Sequence, residues 1–312
     1  MIVEKIAKET GVSISALNLF IDTASYRYKT YSIRKRTGGE RIINHPAPAV
    51  KFLQRWIVRN IIAHFPVHSS VMSYKEGIGV IRNADMHVKQ NFLLKMDFQD
   101  FFPSIKGEDV MALIVDNVMK PPFSELSAAD RALIVKIVCK KNQLTIGAPS
   151  SPAISNAMLY RFDKLMFDES AKRQVFYSRY ADDLTFSTNQ PNVLAEVVEI
   201  VKKALVEQPS PKLRINFDKT IFASKKRRRV VTGLVLTSES KVSIGREKKR
   251  EIKALCHQYC NGVLSVDSLS YLRGYLSYVN SVEPDFIAVL QAKYGAEVIE
   301  GIVSATPVKR KE

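Results

Sequence analysis

The chain has 312 residues, 46% of them hydrophobic and 25% charged, a composition typical of a folded globular protein that excludes general disorder. Its formal net charge of +16 predicts a polyanionic partner, either nucleic acid or an acidic membrane surface. Three cysteines exclude a disulfide scaffold, and no apolar run has the length of a membrane span, so we expect a cytoplasmic protein that is not embedded in a membrane.

The N-terminal part of the chain predicts helices around a hairpin. Residues 2–24 have helical spacing that is broken near Gly11, with Ser13 placed to cap the second helix. The turn signal Thr37-Gly38-Gly39 lies between two β-rich runs, at 31–33 and 41–43, which predicts a hairpin with a basic tip. Residues 51–64 then predict an amphipathic helix.

The middle of the chain predicts an antiparallel sheet that carries acidic residues. Residues 91–97 form an apolar, strand-like run that ends in Asp97, and residues 174–187 predict a hairpin with Asp182 and Asp183 at its bend. Further strands are predicted at 212–217 and 230–236, and helices at 130–140, after a turn at 147–152, at 192–207 and from about 246 onward. The whole is an α+β pattern.

Three acids carry the chemical interpretation, namely Asp97, Asp182 and Asp183. If the first strand and the hairpin are neighbours in one sheet, the three carboxylates converge and repel each other unless a cation neutralises them. Hard oxygen ligands suit Mg²⁺ or Mn²⁺, and two such ions are the usual apparatus of phosphoryl transfer. The alternative is an acidic, solvent-exposed turn, since Asp is common in turns.

Basic residues are concentrated near the C-terminus. Residues 202–312 hold 21 Lys and Arg against 11 Asp and Glu. The basic runs are Lys225, Lys226, Arg227, Arg228 and Arg229, then Arg246, Lys248, Lys249 and Arg250, and finally Lys309, Arg310 and Lys311. A single run is most often a solvated surface, but three runs in one third of the chain favour a phosphate-binding face.

Five motifs occur in a characteristic order along the chain. They are Lys95–Ile105 (KMDFQDFFPSI), Gly147–Pro152 (GAPSSP), Tyr180–Asp183 (YADD), Asn216–Thr220 (NFDKT) and Val231–Leu234 (VTGL). Their order and spacing resemble those of the reverse transcriptases. One departure is Ile146, because many members of that family have Gln at this position, which puts one contact to the incoming nucleotide in doubt.

Within that family the chain most resembles the bacterial retron reverse transcriptases. Asn83, Ala84 and His87 match the Asn-Ala-x-x-His signature of the subgroup, and Val231, Thr232 and Gly233 match its Val-Thr-Gly signature. The resemblance implies a right-hand polymerase fold. We expect N-terminal helices and fingers at 1–90, a palm at 91–236 with a fingers insertion at about 106–145, and a basic helical thumb at 237–312.

The resemblance also implies roles for individual residues. Asp97 and Asp182 would be direct ligands of two Mg²⁺ ions, with Asp183 and the backbone carbonyl of Phe98 completing the metal site. The residues implied in nucleotide binding are Arg41, with Lys35 or Arg36 beside it, Phe102 as a block to the ribose 2′-hydroxyl, Gly147, Ala148 and Lys219. The residues implied in nucleic-acid binding are Tyr180, Lys225, Lys226, Arg227, Arg228, Arg229, Arg246, Lys249 and Arg250.

As a family, retron enzymes copy part of a dedicated structured RNA, start from a 2′-hydroxyl of that RNA, and leave a branched RNA–DNA product known as msDNA. The resemblance therefore implies an RNA-directed DNA polymerase that uses dNTPs, binds a cognate non-coding RNA, and works beside an effector protein in antiphage defence. Two alternatives remain. One is a reverse transcriptase of the group II intron or diversity-generating type, and the other is a non-catalytic RNA-binding scaffold that neutralises an effector.

Overall fold

The computed structural model describes residues 2–34, 38–118, 126–208 and 210–304. Several residues of the predictions lie outside these ranges, namely the nucleotide-binding candidates Lys35 and Arg36, Thr37 of the predicted turn, and the basic tail at 309–311. The chain forms two compact units, one of residues 1–76 and 94–222 and one of residues 77–93 and 223–312. The fingers, palm and thumb boundaries stay a prediction, because two units do not distinguish three subdomains.

The first unit combines helices with a hairpin and a sheet. Its strands are β1 (Tyr28–Arg34), β2 (Glu40–Pro46), β3 (Phe92–Asp97), β4 (Phe176–Tyr180), β5 (Asp183–Thr188) and β6 (Ile221–Ser224), and the unit boundaries fall within β3 and β6. Its helices are α1 (Ile2–Thr10), α2 (Ile14–Asp22), α3 (Pro48–Asn60), α5 (Phe101–Ser104), α6 (Gly107–Val118), α7 (Ala128–Val138), α8 (Ser151–Met158), α9 (Tyr160–Ala171) and α10 (Val193–Glu207).

The predicted N-terminal elements are confirmed. Helices α1 and α2 are separated at Gly11, which has a φ of 72°, and the Ser13 side chain accepts a hydrogen bond from the amide of Ala16. This is the cap that satisfies a free amide in the first turn of a helix. Strands β1 and β2 pair antiparallel, so the hairpin is longer than the pattern predicted.

The predicted sheet is confirmed as a four-stranded sheet with the order β4-β5-β3-β6. Strands β4 and β5 pair antiparallel, with Tyr180 opposite Asp183, so that Ala181 and Asp182 form the bend. Strand β5 is buried along most of its length and lies beside β3. The strand order therefore places the end of β3, at Asp97, next to the bend.

Three predicted elements were wrong in detail. Residues 212–217 do not form a strand, because pairing is limited to a bridge between Ile215 and Phe98, after which the chain turns at Phe217–Lys219. The helix predicted after residue 152 is two helices, α8 and α9, with a break at Leu159. The strand predicted at 230–236 is a hairpin, because Thr232 and the following glycine both have positive φ angles.

The second unit packs helices around a small sheet of three strands in the order β7-β8-β9. Its elements are α4 (Val80–His87), β7 (Arg229–Val231), β8 (Leu234–Leu236), β9 (Val242–Ser243), α11 (Arg246–Cys260), α12 (Val266–Val282), α13 (Pro284–Tyr294) and α14 (Ala296–Ser304). One apolar cluster, which includes Leu234, Ile252, Leu276 and Leu290, forms its core. None of the helices in the described parts of either unit is long and apolar enough to cross a bilayer.

Candidate active site

The segments that carry the three predicted catalytic acids meet at one place in the first unit. The backbone amide of Phe98, the residue after Asp97, donates a hydrogen bond of 3.1 Å to the carbonyl oxygen of Asp182. On its other side, the Asp97 carbonyl accepts a hydrogen bond of 2.8 Å from the amide of Asn216. The end of β3 is thus held between the acidic bend and the segment that leads to Lys219.

The carboxylates lie close enough for the charge of one to raise the pKa of another. Burial raises the pKa of Asp182 to about 6, and the charges of Asp183 and Asp97 contribute to that rise. Burial also raises the pKa of Asp183, and the charge of Asp97 adds to the effect while Lys95 opposes it. The ionised site therefore holds an excess of negative charge in a partly desolvated position, which a cation would relieve.

Lys219 supplies one positive charge at this site. Its ammonium group donates a hydrogen bond of 2.8 Å to Oδ1 of Asp97, and this bond, with the neighbouring carboxylates, raises the lysine pKa. The Lys219 side chain is 58% exposed whereas that of Asp97 is 13% exposed, so the ammonium approaches the acid from the solvent side. The Asp97 carboxylate is thus already paired with the ammonium group of Lys219.

The donor set fits a hard divalent ion, because all the candidate side-chain ligands are carboxylate oxygens. Across the described ranges, no three acidic, histidine or cysteine side chains are already grouped as a ready-made metal site. The separation of the carboxylates has a physical reason. Uncompensated carboxylates repel one another, and the Asp97 carboxylate is paired with Lys219. The ligand roles of Asp97, Asp182, Asp183 and the Phe98 carbonyl stay predictions.

The turn of the third motif packs against the hairpin of the first unit. Gly147 has a φ of 107°, and a Cβ atom there would lie 2.8 Å from the backbone oxygen of Asn44. The amide of Asn44 in turn donates to the carbonyl of Ile146 at 2.8 Å. Ala148 is buried. Glycine is therefore required here by a close backbone approach, and the nucleotide-binding role of the turn stays a prediction.

Two further predicted nucleotide contacts lie in the same unit. Phe102 is half-buried in the short helix α5 after Asp97, and the centre of its ring lies 5.2 Å from that of Phe101. Arg41 is exposed on β2. Burial raises the pKa of Tyr74, the charge of Asp182 raises it further, and the charge of Arg41 lowers it. Arg41 and Asp182 thus act on the same hydroxyl.

The residues predicted to contact nucleic acid differ in their exposure and in their partners within the protein. Lys226, Arg227, Arg228, Arg246 and Arg250 are exposed, whereas Tyr180 and Lys225 are half-buried. Lys249 makes an ion pair of 2.5 Å with Glu283. The prediction for Arg229 needs correction, because its guanidinium is buried and donates to the carbonyls of Gln90 and Thr237. Arg229 stabilises the second unit and is not a surface contact.

The two subgroup signatures meet in the second unit, although they are distant in sequence. Asn83, Ala84, His87 and Val231 are all buried, and the hydroxyl of Thr232 donates to the carbonyl of Val80 at the start of α4. Ala84 and Val231 belong to the same apolar core. The signatures therefore join α4 to the β7–β8 hairpin, and the burial of His87 gives it a structural role.

Sequence reasoning missed a polar network beneath the acidic bend. Arg179 and Asp163 form an ion pair of 2.7 Å with both side chains fully buried. The segment before Tyr74 lies alongside β4, where Ser73 and Arg179 both bond to Ala181. The available signals were an arginine within a predicted strand and an aspartate on the apolar face of α9.

The chain is similar to known proteins over most of its length. The family model described as reverse transcriptase (RNA-dependent DNA polymerase) matches residues 33–259. The retron Ec83 reverse transcriptase of Escherichia coli is 37% identical over 278 residues, covering 88% of this chain and 89% of that protein. The retron Ec86 reverse transcriptase of Escherichia coli is 33% identical over 298 residues, covering 93% and 89%.

A fold comparison adds a more distant neighbour. The structure of the foamy viral protease-reverse transcriptase with double-stranded DNA aligns with a TM-score of 0.46 and 13% identity, covering 92% of this chain and 45% of that one. The family match extends over most of the chain, so the chain belongs to the reverse transcriptases, which are RNA-directed DNA polymerases with a right-hand α+β fold. Within that family it is a reverse transcriptase of the bacterial retron type.

Proposed function

We propose that this enzyme copies part of a cognate structured RNA into single-stranded DNA, using Asp97, Asp182 and Asp183 as its catalytic acids. The observation that carries the assignment is the hydrogen bond from the Phe98 amide to the Asp182 carbonyl, which brings the two acidic segments together. The mutual effect of the carboxylates on their pKa values supports it. Perturbed acids clustered in this way are typical of catalytic sites.

Asp97, Asp182, Asp183 and the Phe98 carbonyl would hold two Mg²⁺ ions, and Mn²⁺ is a chemically reasonable substitute. When bound, the two ions supply a lowered pKa for the attacking hydroxyl and stabilisation of the leaving pyrophosphate. The protein's own part is to position the carboxylates and to hold the Lys219 ammonium beside them. From that position Lys219 can pair with the triphosphate of a dNTP, while Arg41 and the 147–148 turn bind it from the hairpin side.

The metal assignment is tested with Asp182→Asn, and Asp116→Asn serves as the matched control. Asp116 is an exposed acid paired with Arg161, so its substitution should change nothing. We expect Asp182→Asn to lower primer extension by at least about a thousandfold, since the interaction lost acts in the transition state. In EDTA its melting temperature should rise, because one of three mutually repelling carboxylates is gone. Added Mg²⁺ should stabilise the wild type and not the variant.

RNA binding is proposed to involve the exposed basic residues of the second unit, including Arg227, Arg246 and Arg250. A-form RNA is recognised mostly through its phosphates and shape, so affinity should fall steeply with salt. Charge removal at each of these positions should lower the slope of log affinity against log salt by about one. The matched control is Arg229, because a buried guanidinium should affect stability and leave the slope unchanged.

Priming from an RNA 2′-hydroxyl and a branched msDNA product are proposed from the similarity to retron reverse transcriptases. The test is to express the gene with its upstream DNA and to analyse nucleic acid that co-purifies with the enzyme. A 2′–5′ branched RNA–DNA species, absent with Asp182→Asn, is the expected result. Linear DNA alone would favour an enzyme of the group II intron or diversity-generating type.

A role in antiphage defence beside an effector protein is proposed on the same basis. The competing function is a non-catalytic scaffold that binds RNA and neutralises the effector. The double variant Asp182→Asn/Asp183→Asn separates the two, provided that it still binds RNA. Loss of phage resistance in the double variant supports the catalytic role, and full resistance supports the scaffold.

A further inference from the structure

The bend that carries Asp182 has an unusual backbone. Ala181 has a φ of 56°, which lies in the left-handed region that residues other than glycine rarely adopt. Such a conformation persists only where the surrounding structure holds it in place. The contacts of Ala181 show what holds it.

Both backbone hydrogen-bonding groups of Ala181 are bonded to side chains, one from the distant Ser73 and one from Arg179, two residues earlier. Its amide donates to the Ser73 hydroxyl at 2.8 Å, and its carbonyl accepts from Nη1 of Arg179 at 3.0 Å. The same Nη1 atom donates to Oδ1 of Asn156, and the Asn156 amide group donates to the carbonyl of Ser73 at 3.0 Å. These side chains therefore close a ring of hydrogen bonds around the bend.

Arg179 is itself fixed from the opposite side. Its Nε and Nη2 atoms donate to the two carboxylate oxygens of Asp163 at 2.8 and 2.7 Å, which is a bidentate arrangement. The Tyr177 hydroxyl donates to the same carboxylate at 2.7 Å. Because both charged groups are fully buried, the guanidinium has no freedom to leave the bend.

We propose that Asp163 and Arg179, together with Ser73, are positioning residues that hold the bend in the conformation that presents Asp182 for metal binding. The inference rests on the proposed assignment of Asp182. Ser73 and Arg179 bond to the backbone of Ala181, and Asp163 acts through Arg179, so the three residues influence the catalytic carboxylates through the bend. The network accounts for the placement of a buried ion pair directly beneath the active site.

A variant that keeps the fold while removing the network provides the test. Breaking one partner would leave a buried charge, whereas replacing a buried ion pair with apolar residues of similar size is often tolerated. The variant is therefore the triple substitution Asp163→Leu/Tyr177→Phe/Arg179→Met, which leaves no member of the cluster ionised. Arg173→Met is the matched control, because Arg173 pairs with Glu169 on α9 away from the bend.

Two readouts separate positioning from stability. We expect the triple variant to melt cooperatively and to lose about tenfold or more in kcat, with an unchanged KM for primer–template. In an EPR titration without substrate, it should bind Mn²⁺ about tenfold more weakly than the wild type. A role in stability alone would lower the melting temperature and the active fraction but leave the Mn²⁺ dissociation constant unchanged. A folded triple variant with wild-type kcat and Mn²⁺ affinity overturns the proposal.

Ser73→Ala is the second variant, and it decides the question if the triple variant does not fold. It removes only the acceptor of the Ala181 amide, and we expect a smaller loss in the same two quantities. Wild-type kcat and Mn²⁺ affinity in folded Ser73→Ala would then overturn the proposal. Asp182→Asn isolates the underlying assignment: if that variant keeps Mn²⁺ binding and activity, the site itself is wrongly placed, whatever the network variants show.

Discussion

The buried histidine of the second unit gives a pH dependence that can be calculated from the structure. His87 has no exposed surface, and burial lowers the pKa of its imidazole to about 3. An unfolded histidine has a pKa of about 6.5. Between these two values the unfolded chain binds a proton that the folded chain does not bind, so acidification favours unfolding.

The magnitude follows from the two pKa values. Each pH unit below the unfolded pKa costs about 1.4 kcal/mol until the folded pKa is reached. At pH 5, about 1.5 units below the unfolded value, the loss is about 2 kcal/mol, and at pH 7 it is close to zero. The stabilisation is fully present above the unfolded pKa and is lost as the pH falls toward the folded one.

The assay compares the free energy of urea unfolding of the wild type and His87→Gln at pH 7 and pH 5, followed by circular dichroism. Other titrating groups, Asp182 among them, are common to both proteins and cancel in the difference. His87→Gln loses the same amount of unfolding free energy from its altered packing at both pH values, but it has no imidazole that takes up a proton. The stability advantage of the wild type should therefore shrink by about 2 kcal/mol between pH 7 and pH 5. A difference that is the same at both pH values would refute the buried, neutral histidine.

Three further outcomes are expected. Arg179→Met alone should lower the free energy of unfolding by about 3–5 kcal/mol, because it leaves Asp163 buried without its ion-pair partner. A melting temperature no lower than that of the triple variant would contradict this. Gly147→Ala should lower the free energy of unfolding by about 1–3 kcal/mol, because φ is positive there and the new methyl group would meet the Asn44 carbonyl. An unchanged urea midpoint would show that the turn relaxes freely. Phe102→Ala should raise incorporation of ribonucleotides relative to deoxynucleotides in primer extension, and unchanged discrimination would remove its role against the 2′-hydroxyl.

Much of the local structure is readable from the sequence because its causes are local. The break at Gly11 with its serine cap, the β1–β2 hairpin and the strand ending in Asp97 all follow from residue spacing and turn chemistry. The motif order was enough to predict the family, which the family model and the relatives confirm. The errors at 212–217 and 230–236 have a common origin, since apolar alternation predicts strand without showing where the backbone turns.

Contacts between distant segments were decided only by the tertiary structure. A charge pattern does not distinguish a guanidinium that faces solvent from one that faces carbonyl groups, so the burial of Arg229 could not be predicted from its basic run. The pairing of Arg179 with Asp163 depends on how α9 packs against β4. The residue pattern alone was enough to name three carboxylates as catalytic candidates. The packing of helices and strands determined how they are held, because the hydroxyl that accepts from the Ala181 amide belongs to Ser73, which only folding brings within reach.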